Sequence, residues 1–303
     1  MDTVRELAGK IKLGAPPRFE EPMAKHTSFR IGGPADLYLV PEDAEELSNA
    51  LSICRRDGVP CFLLGGGTNI LVADRGVRGV VIDLSRVSRI EPEGQCISAE
   101  CGAEISRVSE TALRMGLAGL EFAYALPGTV GGAVWMNARC YDREMSDVLR
   151  WVDWIDTDGS RRRLAIDPKE WSYKRSPFQG NDWLILKAGL ELTPGDPVEI
   201  QASMSDHRQD RERKGHFRYP CAGSVFKNNR AFGAPTGKLV DSLGLNGRRI
   251  GGAQIAPYHG NIIINTDRAA AADVRELIEL VEREVRVQLG FQLEREVLLV
   301  GDW

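Results

Sequence analysis

Cys61-Phe62-Leu63-Leu64-Gly65-Gly66-Gly67-Thr68-Asn69 reads as a short apolar strand that runs straight into a glycine triplet. In such a turn, backbone N–H groups approach a phosphate without a Cβ in the way. Thr68 and Asn69 add two side chains able to bond a pyrophosphate. A plain tight turn explains the same residues equally well. A second glycine-rich turn follows at Leu126-Pro127-Gly128-Thr129-Val130-Gly131-Gly132-Ala133. Two such turns in one half of a chain favour a dinucleotide. Neither is G-x-G-x-x-G with an acidic residue about 20 positions on, so a Rossmann site is disfavoured.

Outward from the first turn, residues 36–40 alternate like a strand. Pro41-Glu42-Asp43 opens a helix with proline and carboxylates in its first turn. Leu47, Leu51 and Cys54 give that helix an apolar stripe, and Gly58 is placed to end it. Residues 79–84 form another strand, which makes a small unit rich in β-α-β. A second unit spans about 87–193. In it Ile105, Val108 and Ala112 share a helical face broken by Gly116. Strands at 149–157 and 163–166 are joined through Asp158-Gly159, a hairpin dipeptide, and another strand covers 183–192. Pro194-Gly195-Asp196-Pro197 punctuates the chain. The third unit holds a charged helix from about 201 to 214 and a strand at 261–265. A helix then carries Val274, Leu277, Ile278, Val281, Val285 and Leu289 at a 3.6-residue period, closed by Gly290, and a last strand covers 291–300. Helices and strands alternate irregularly and without repeat, which favours α+β over a doubly wound sheet.

The chain has 303 residues, of which 43% are hydrophobic, enough for two or three domains with real cores. Its net charge of −4 argues against a general nucleic-acid binder. Arg161-Arg162-Arg163 reads as a solvated face. The basic run from Arg208 to Lys214 precedes the Ser224 motif and is placed to face an anionic ligand. The first twelve residues are mixed and charged, unlike a signal peptide. No apolar run approaches the roughly 20 residues of a membrane helix. A cytoplasmic protein without membrane or nucleic-acid partners is expected. Cys54, Cys61, Cys96, Cys101, Cys140 and Cys221 contain no CxxC pair, and His26, His207, His216 and His259 are scattered. No metal site is expected, and the cysteines read as buried reduced thiols.

Pro220-Cys221-Ala222-Gly223-Ser224-Val225-Phe226-Lys227-Asn228 places one hydroxyl between a glycine and an apolar pair. Leu293-Glu294-Arg295-Glu296-Val297 puts a carboxylate at the start of an apolar run. Taken singly, Ser224 is a turn hydroxyl and Glu296 a strand-end acid. Ala222 and Phe226 exclude a G-x-S-x-G elbow and so disfavour a serine hydrolase. Gly233-Ala234-Pro235-Thr236-Gly237-Lys238 imitates a P-loop but is one residue short, with Leu239 where a magnesium-binding hydroxyl belongs. It reads as a loop before a helix carrying Leu239 and Val240.

Together these stretches resemble the UDP-N-acetylenolpyruvoylglucosamine reductase (MurB) family, from about His26 to the C-terminus. The strongest elements are His26-Thr27-Ser28-Phe29-Arg30-Ile31-Gly32-Gly33-Pro34-Ala35, the two glycine turns and 222–228, completed by Gly251-Gly252-Ala253-Gln254 and the Glu296 segment. The short third unit is similar to the type II branch. The resemblance implies an α+β fold: a two-subdomain FAD-binding module of the vanillyl-alcohol-oxidase (PCMH) type plus a C-terminal α+β substrate-binding domain. The corresponding boundaries are 1–25 for a leader helix and link, 26–86 and 87–197 for the two FAD-binding subdomains, and 198–303 for the substrate domain.

It also implies non-covalent FAD, with NADPH as co-substrate and a UDP-sugar as substrate; a monomer is expected. Gly65, Gly66, Gly67, Thr68, Asn69, Pro127, Gly128, Thr129, Gly131 and Gly132 would hold the cofactor. Ser224 would protonate carbon after hydride arrives from flavin N5, and Glu296 with Lys174 or Arg175 would hold charge on the carboxylate side. Lys227 is a local candidate to support a Ser224 alkoxide. Tyr173, Lys227, Asn228, Lys238, Gln254, His259 and Asn261 would bind substrate. Two departures stand out. Tyr173-Lys174-Arg175-Ser176 has lysine at the family's usual arginine position, and lysine cannot fork onto a carboxylate. Asn229 stands where proline commonly follows, which alters loop stiffness. The implied activity is reduction of UDP-N-acetylglucosamine enolpyruvate to UDP-N-acetylmuramate in peptidoglycan precursor synthesis. Another FAD oxidoreductase of the same class, or a catalytically inactive nucleotide-binding regulator, is the alternative.

Overall fold

A computed structural model describes residues 2–303; Met1, the first residue of the expected leader, lies outside the described residues. Contacts group the chain into two compact units, each assembled from separate segments. The first comprises 1–19, 37–66 and 79–210, and the second 20–36, 67–78 and 211–303. Sequence order and compact units therefore do not coincide.

In the first unit, α1 (Asp2–Lys10) and α2 (Ala44–Arg56) place Val4, Leu7, Leu47 and Leu51 in one core. Asp43 caps α2 by accepting from the N–H groups of Glu45 and Glu46, and Arg55 and Arg56 close its last turn, as a helix dipole favours. Four strands, β1 (Arg18–Pro22), β2 (Pro34–Leu39), β3 (Cys61–Leu64) and β5 (Val77–Asp83), form a sheet in the order β1-β2-β5-β3. The pair β3 and β5 is parallel, with Cys61 opposite Val80. The short β4 (Ile70–Val72) lies outside that sheet.

A second, five-stranded sheet contains β6 (Ile90–Glu93), β7 (Cys96–Glu100), Leu149–Ile155, Arg161–Ala165 and Leu184–Glu191. It is antiparallel throughout, with β6 and Arg161–Ala165 at its edges. The hairpin expected at Asp158-Gly159 is present, with Ile155 opposite Arg161. Helix α3 (Ile105–Arg114) buries Ile105, Val108 and Ala112, the expected face. The short α4 (Val130–Trp135) buries Val130 and Val134 in the same core. Burial pushes the Cys101 thiol up to about 12, and all six cysteines are free.

Helix α5 (Pro197–Arg213) starts four residues earlier than expected. The second unit contains α6 (Thr236–Ser242), a three-stranded sheet of Arg249–Ile250, Ala253–Ile255 and Ile263–Asn265, and α7 (Ala271–Leu289). Val274, Leu277, Ile278, Val281 and Val285 are buried along α7, and Gly290 ends it in the left-handed region at φ 73. The core also takes in Phe29, Ile31 and Leu71 from the earlier segments.

The expected last strand at 291–300 is shorter: the regular strand is Leu298–Val300, parallel to β4. The backbone of residues 294–297 bonds to the short 224–227 segment. There the Val225 carbonyl accepts from both Glu296 N–H (2.8 Å) and Val297 N–H (3.2 Å), a bulge-like irregularity that interrupts the ladder. No described helix is long and apolar enough to cross a membrane.

Candidate active site

Within the second unit, backbone hydrogen bonds gather three parts of the chain around Ser224. Ser224 pairs with Ile262 and Phe226 with Arg295 as isolated antiparallel bridges. Val225 N–H donates to Asn261 O at 2.9 Å, while Val225 O receives Glu296 N–H. Ser224 and Glu296 are both half-buried. Asn69, the last residue of the first glycine turn, donates its side-chain amide to Glu296 O at 3.0 Å and accepts Leu298 N–H at 3.0 Å. The glycine turn is thus tied to the acid segment, and Ser28 ties it to the serine segment. The Ser28 hydroxyl donates to Cys221 O at 2.6 Å, and its N–H donates to Gly67 O at 3.0 Å. Gly67 has φ 61 and no room for a side chain, since a Cβ would lie 2.1 Å from His26 O.

Neighbouring charges are already engaged. Lys227 Nζ lies 2.8 Å from Glu294, with its side chain 13% exposed. Arg295 forks onto Glu282 of α7 at 2.6 and 2.7 Å. Asn261 is 3% exposed and spends both ends of its amide on Phe226, accepting its N–H and donating to its carbonyl. These bonds fix the side chain of Asn261 to the backbone of the 224–228 segment. Asn228 accepts Thr236 N–H at 2.9 Å, and Gln254 donates to Gly247 O at 2.9 Å. His259 accepts Asn261 N–H at Nδ1, 3.2 Å away. Burial, and to a lesser degree Lys214, lowers the affinity of His259 for a proton. A Cβ at Gly237 would meet His259 Cε1 at 3.2 Å, so the start of α6, with exposed Lys238 next in sequence, comes against the His259 loop.

Within the first unit, the two glycine turns meet. A Cβ on Gly65 would stand 2.8 Å from Thr129 Oγ1, and Thr129 caps α4 by accepting Gly132 N–H. Val130 N–H and Gly131 N–H are engaged by Ala103 O and Cys101 O, both at 2.8 Å, and Gly128 has φ 130. A Cβ on Gly131 would press on Cys101 at 3.0 Å. Gly65 lets the two turns approach closely, with the Thr129 hydroxyl against backbone that carries no Cβ, the kind of turn in which N–H groups can reach a diphosphate. Gly66 is exposed, while Thr68 and Pro127 flank these turns.

Tyr173 and Lys174 occupy a tight turn. Arg175 N–H donates to Ser172 O at 2.9 Å, Ser172 N–H returns a bond to Arg175 O at 3.2 Å, and Lys174 has φ 58. Left-handed backbone is costly for a residue with a Cβ, so the turn needs support. Asn137 donates to Ser172 O, Gln179 to Lys174 O, and the Ser176 hydroxyl to Trp135 O. Arg139 lies over the Tyr173 ring, 5.8 Å from its centroid. Lys174 is half-buried and Arg175 exposed. Ser28, Asn137 and Gln179 received no role in the sequence reading. Of the three, only Ser28 stands inside a motif quoted above, at 26–35.

Two family models match the chain: an FAD binding domain over residues 35–165 and the C-terminal domain of UDP-N-acetylenolpyruvoylglucosamine reductase over 215–300. A protein named UDP-N-acetylenolpyruvoylglucosamine reductase from Treponema denticola is 44% identical over 302 residues, covering 94% of each chain. The chain belongs to this reductase family. A relative with the same name from Caldanaerobacter subterraneus is 40% identical, covering 100% of this chain and 98% of its own. The crystal structure of the reductase (MurB) from Thermus caldophilus superposes with a TM-score of 0.78 at 33% identity, covering 94% of this chain and 98% of its own. The fold is α+β and FAD is the cofactor of the family module at 35–165. The glycine turns that meet at Gly65 and Thr129 lie inside that module.

Proposed function

We propose that the chain reduces UDP-N-acetylglucosamine enolpyruvate to UDP-N-acetylmuramate, as an NADPH-dependent flavoenzyme of peptidoglycan precursor synthesis. The observation that carries this reading is the convergence of Ser224, Glu296 and Asn69 on one backbone network, in a chain with full-length kinship to the reductases. FAD, recharged by NADPH, supplies hydride to the vinyl group when bound. Gly65, Gly66, Gly67, Thr68 and Asn69, with Pro127, Gly128, Thr129, Gly131 and Gly132, hold its diphosphate and ring system.

The residues of the chain do the remaining work. Ser224 gives its hydroxyl proton to the carbon that bears the ether oxygen. Charge that builds on the carboxylate side of the substrate needs fixed partners, and such partners act most strongly where water is excluded. Glu296 is held in place for that task by its own backbone, bonded to Val225 and Asn69. Lys174 and Arg175 supply the cationic turn that receives the carboxylate. Lys238 and His259, the latter packed against Gly237 next to Lys238, take the UDP portion, supported by the clamp of Asn261 on Phe226. In this reading the enzyme acts in the cytoplasm as a monomer on a small-molecule UDP-sugar.

The test is anaerobic stopped-flow absorbance on Ser224→Ala. Flavin bleaching by NADPH is expected at the wild-type rate. Recovery of the oxidised spectrum on adding the enolpyruvyl substrate is expected to slow by roughly 10²–10⁴, the usual loss for a positioned proton donor. Recovery at the wild-type rate would remove Ser224 from the mechanism.

A further inference from the structure

A cleft of about 710 Å³ opens in the first unit between α3 and the edge strand β6, lined by Arg89, Ile90, Pro92, Arg107, Arg114 and Met115, with Glu110 and Thr111. None of these residues belongs to the proposed flavin, proton or substrate groups. Arg107 and Arg114 are seven apart on α3 and so share a face, with Thr111 between them. Three arginines oppose the single Glu110 in a chain whose overall charge is −4.

Among the described residues, Arg107 and Arg114 form no ion pair. Glu110 precedes Arg114 by four residues, the favoured order for a helical ion pair. Yet among the described residues no ion pair joins Glu110 to either Arg107 or Arg114. The Arg114 guanidinium donates instead to the Thr111 hydroxyl at 2.7 Å, and Arg89 reaches Glu91 only at 3.8 Å. Seven residues span about 10.5 Å along a helix axis, more than one phosphate covers. The spacing suits a chain of phosphates, whose oxygens accept the planar fork of arginine. Ile90, Pro92 and Met115 give the same cleft an apolar wall for a flat organic group. Its volume lies within the usual range of small-ligand sites, about 300–1,000 Å³.

We propose that this cleft is a binding site for a nucleoside diphosphate, with the phosphates on Arg107 and Arg114 and the base against Ile90, Pro92 and Met115. The inference does not rest on the proposed reductase activity, because it uses other residues and another chemistry.

The test is calorimetry on the full chain saturated with FAD, at one fixed ionic strength, with ADP, inorganic pyrophosphate and adenosine as probes. One equivalent of ADP is expected to bind, pyrophosphate more weakly, and adenosine not measurably. Arg107→Gln/Arg114→Gln is expected to lower ADP affinity by about tenfold or more, since it removes two charge-assisted contacts. Bound flavin and turnover of the enolpyruvyl substrate stay at wild-type levels. Arg107→Lys/Arg114→Lys keeps the charge, loses the fork, and is expected to bind with intermediate affinity. Absence of saturable ADP binding overturns the proposal, as does ADP binding unchanged in the glutamine pair. Pyrophosphate as tight as ADP, or adenosine as tight as ADP, overturns it too.

Discussion

Asn261 closes both ends of its side-chain amide on the backbone of Phe226, two residues from Ser224, at 2.9 and 2.8 Å. Asn261→Ala leaves a buried N–H and a buried carbonyl without that partner. At about 1–3 kcal/mol for each unsatisfied group, a loss of roughly 2–6 kcal/mol is expected in urea unfolding. A loss below about 0.5 kcal/mol, the size of an ordinary surface change, would deny the clamp. His259 provides a pH signature in the same loop. Its Nδ1 accepts Asn261 N–H, and burial lowers its proton affinity below the ordinary value of 6.5. A depressed pKa means that the unfolded chain binds the proton first as pH falls. The stabilisation is complete above 6.5 and is lost between 6.5 and the lower folded value. Stability measured from pH 7.5 down to 5 should fall more steeply in the wild type than in His259→Gln; equal slopes would contradict this. In the sequence, Ser224 and Glu296 were joined only through the family resemblance, each inside its own contiguous motif. The engagement of Lys227 by Glu294 and of Asn261 by Phe226 was not legible, because each partner lies 67 and 35 residues away.

At the scale of elements, α7 begins with a cap delivered from far along the chain. The N–H groups of Ala271 and Ala272 donate to the two oxygens of Asp74 at 2.8 and 3.0 Å. Asp273 satisfies the N–H groups of Gly252 and Ala270. A carboxylate at a helix N-terminus both accepts the orphan donors and faces the positive end of the dipole. Asp74→Ala should therefore cost about 1–2 kcal/mol, on the scale of a lost N-cap, read by chemical denaturation. A neutral result would show that α7 does not depend on this cap. Local signals had made most helices legible: Asp43 before α2, the apolar period along α7, and Gly290 at its end. Asp74 carried no such signal, since it sits in the loop after β4, 197 residues from Ala271. The last strand was misjudged for a related reason. An apolar run predicts extended backbone, but a regular ladder also needs a partner of equal length. The backbone of residues 294–297 pairs with the short serine segment, and Leu298–Val300 pairs with β4.

At the scale of the whole molecule, the mixed α+β class followed from the irregular order of elements, and the family from motifs spread between His26 and the C-terminus. The assembly of each compact unit from separated segments did not follow, because composition and punctuation report breaks along the chain and not which segments rejoin. The second unit shows the physical consequence. Its core contains Phe29 and Leu71, both 0% exposed, and Ile31 at 3%, packed with residues drawn from 211–303. The Leu298–Val300 strand pairs with β4, and α7 takes its cap from Asp74. A fragment of residues 211–303 would lack all of these. Removing one large core side chain typically costs about 2–5 kcal/mol, and a whole domain is stable by only about 5–15 kcal/mol. Losing three such side chains together with a strand partner and a helix cap exceeds that margin. The fragment is therefore expected to show a collapsed, poorly dispersed amide NMR spectrum and no cooperative thermal transition, although it contains Ser224, Glu296 and the whole match to the reductase C-terminal domain. A sharp transition with well-dispersed amides in that fragment would mean that residues 20–36 and 67–78 only decorate this core.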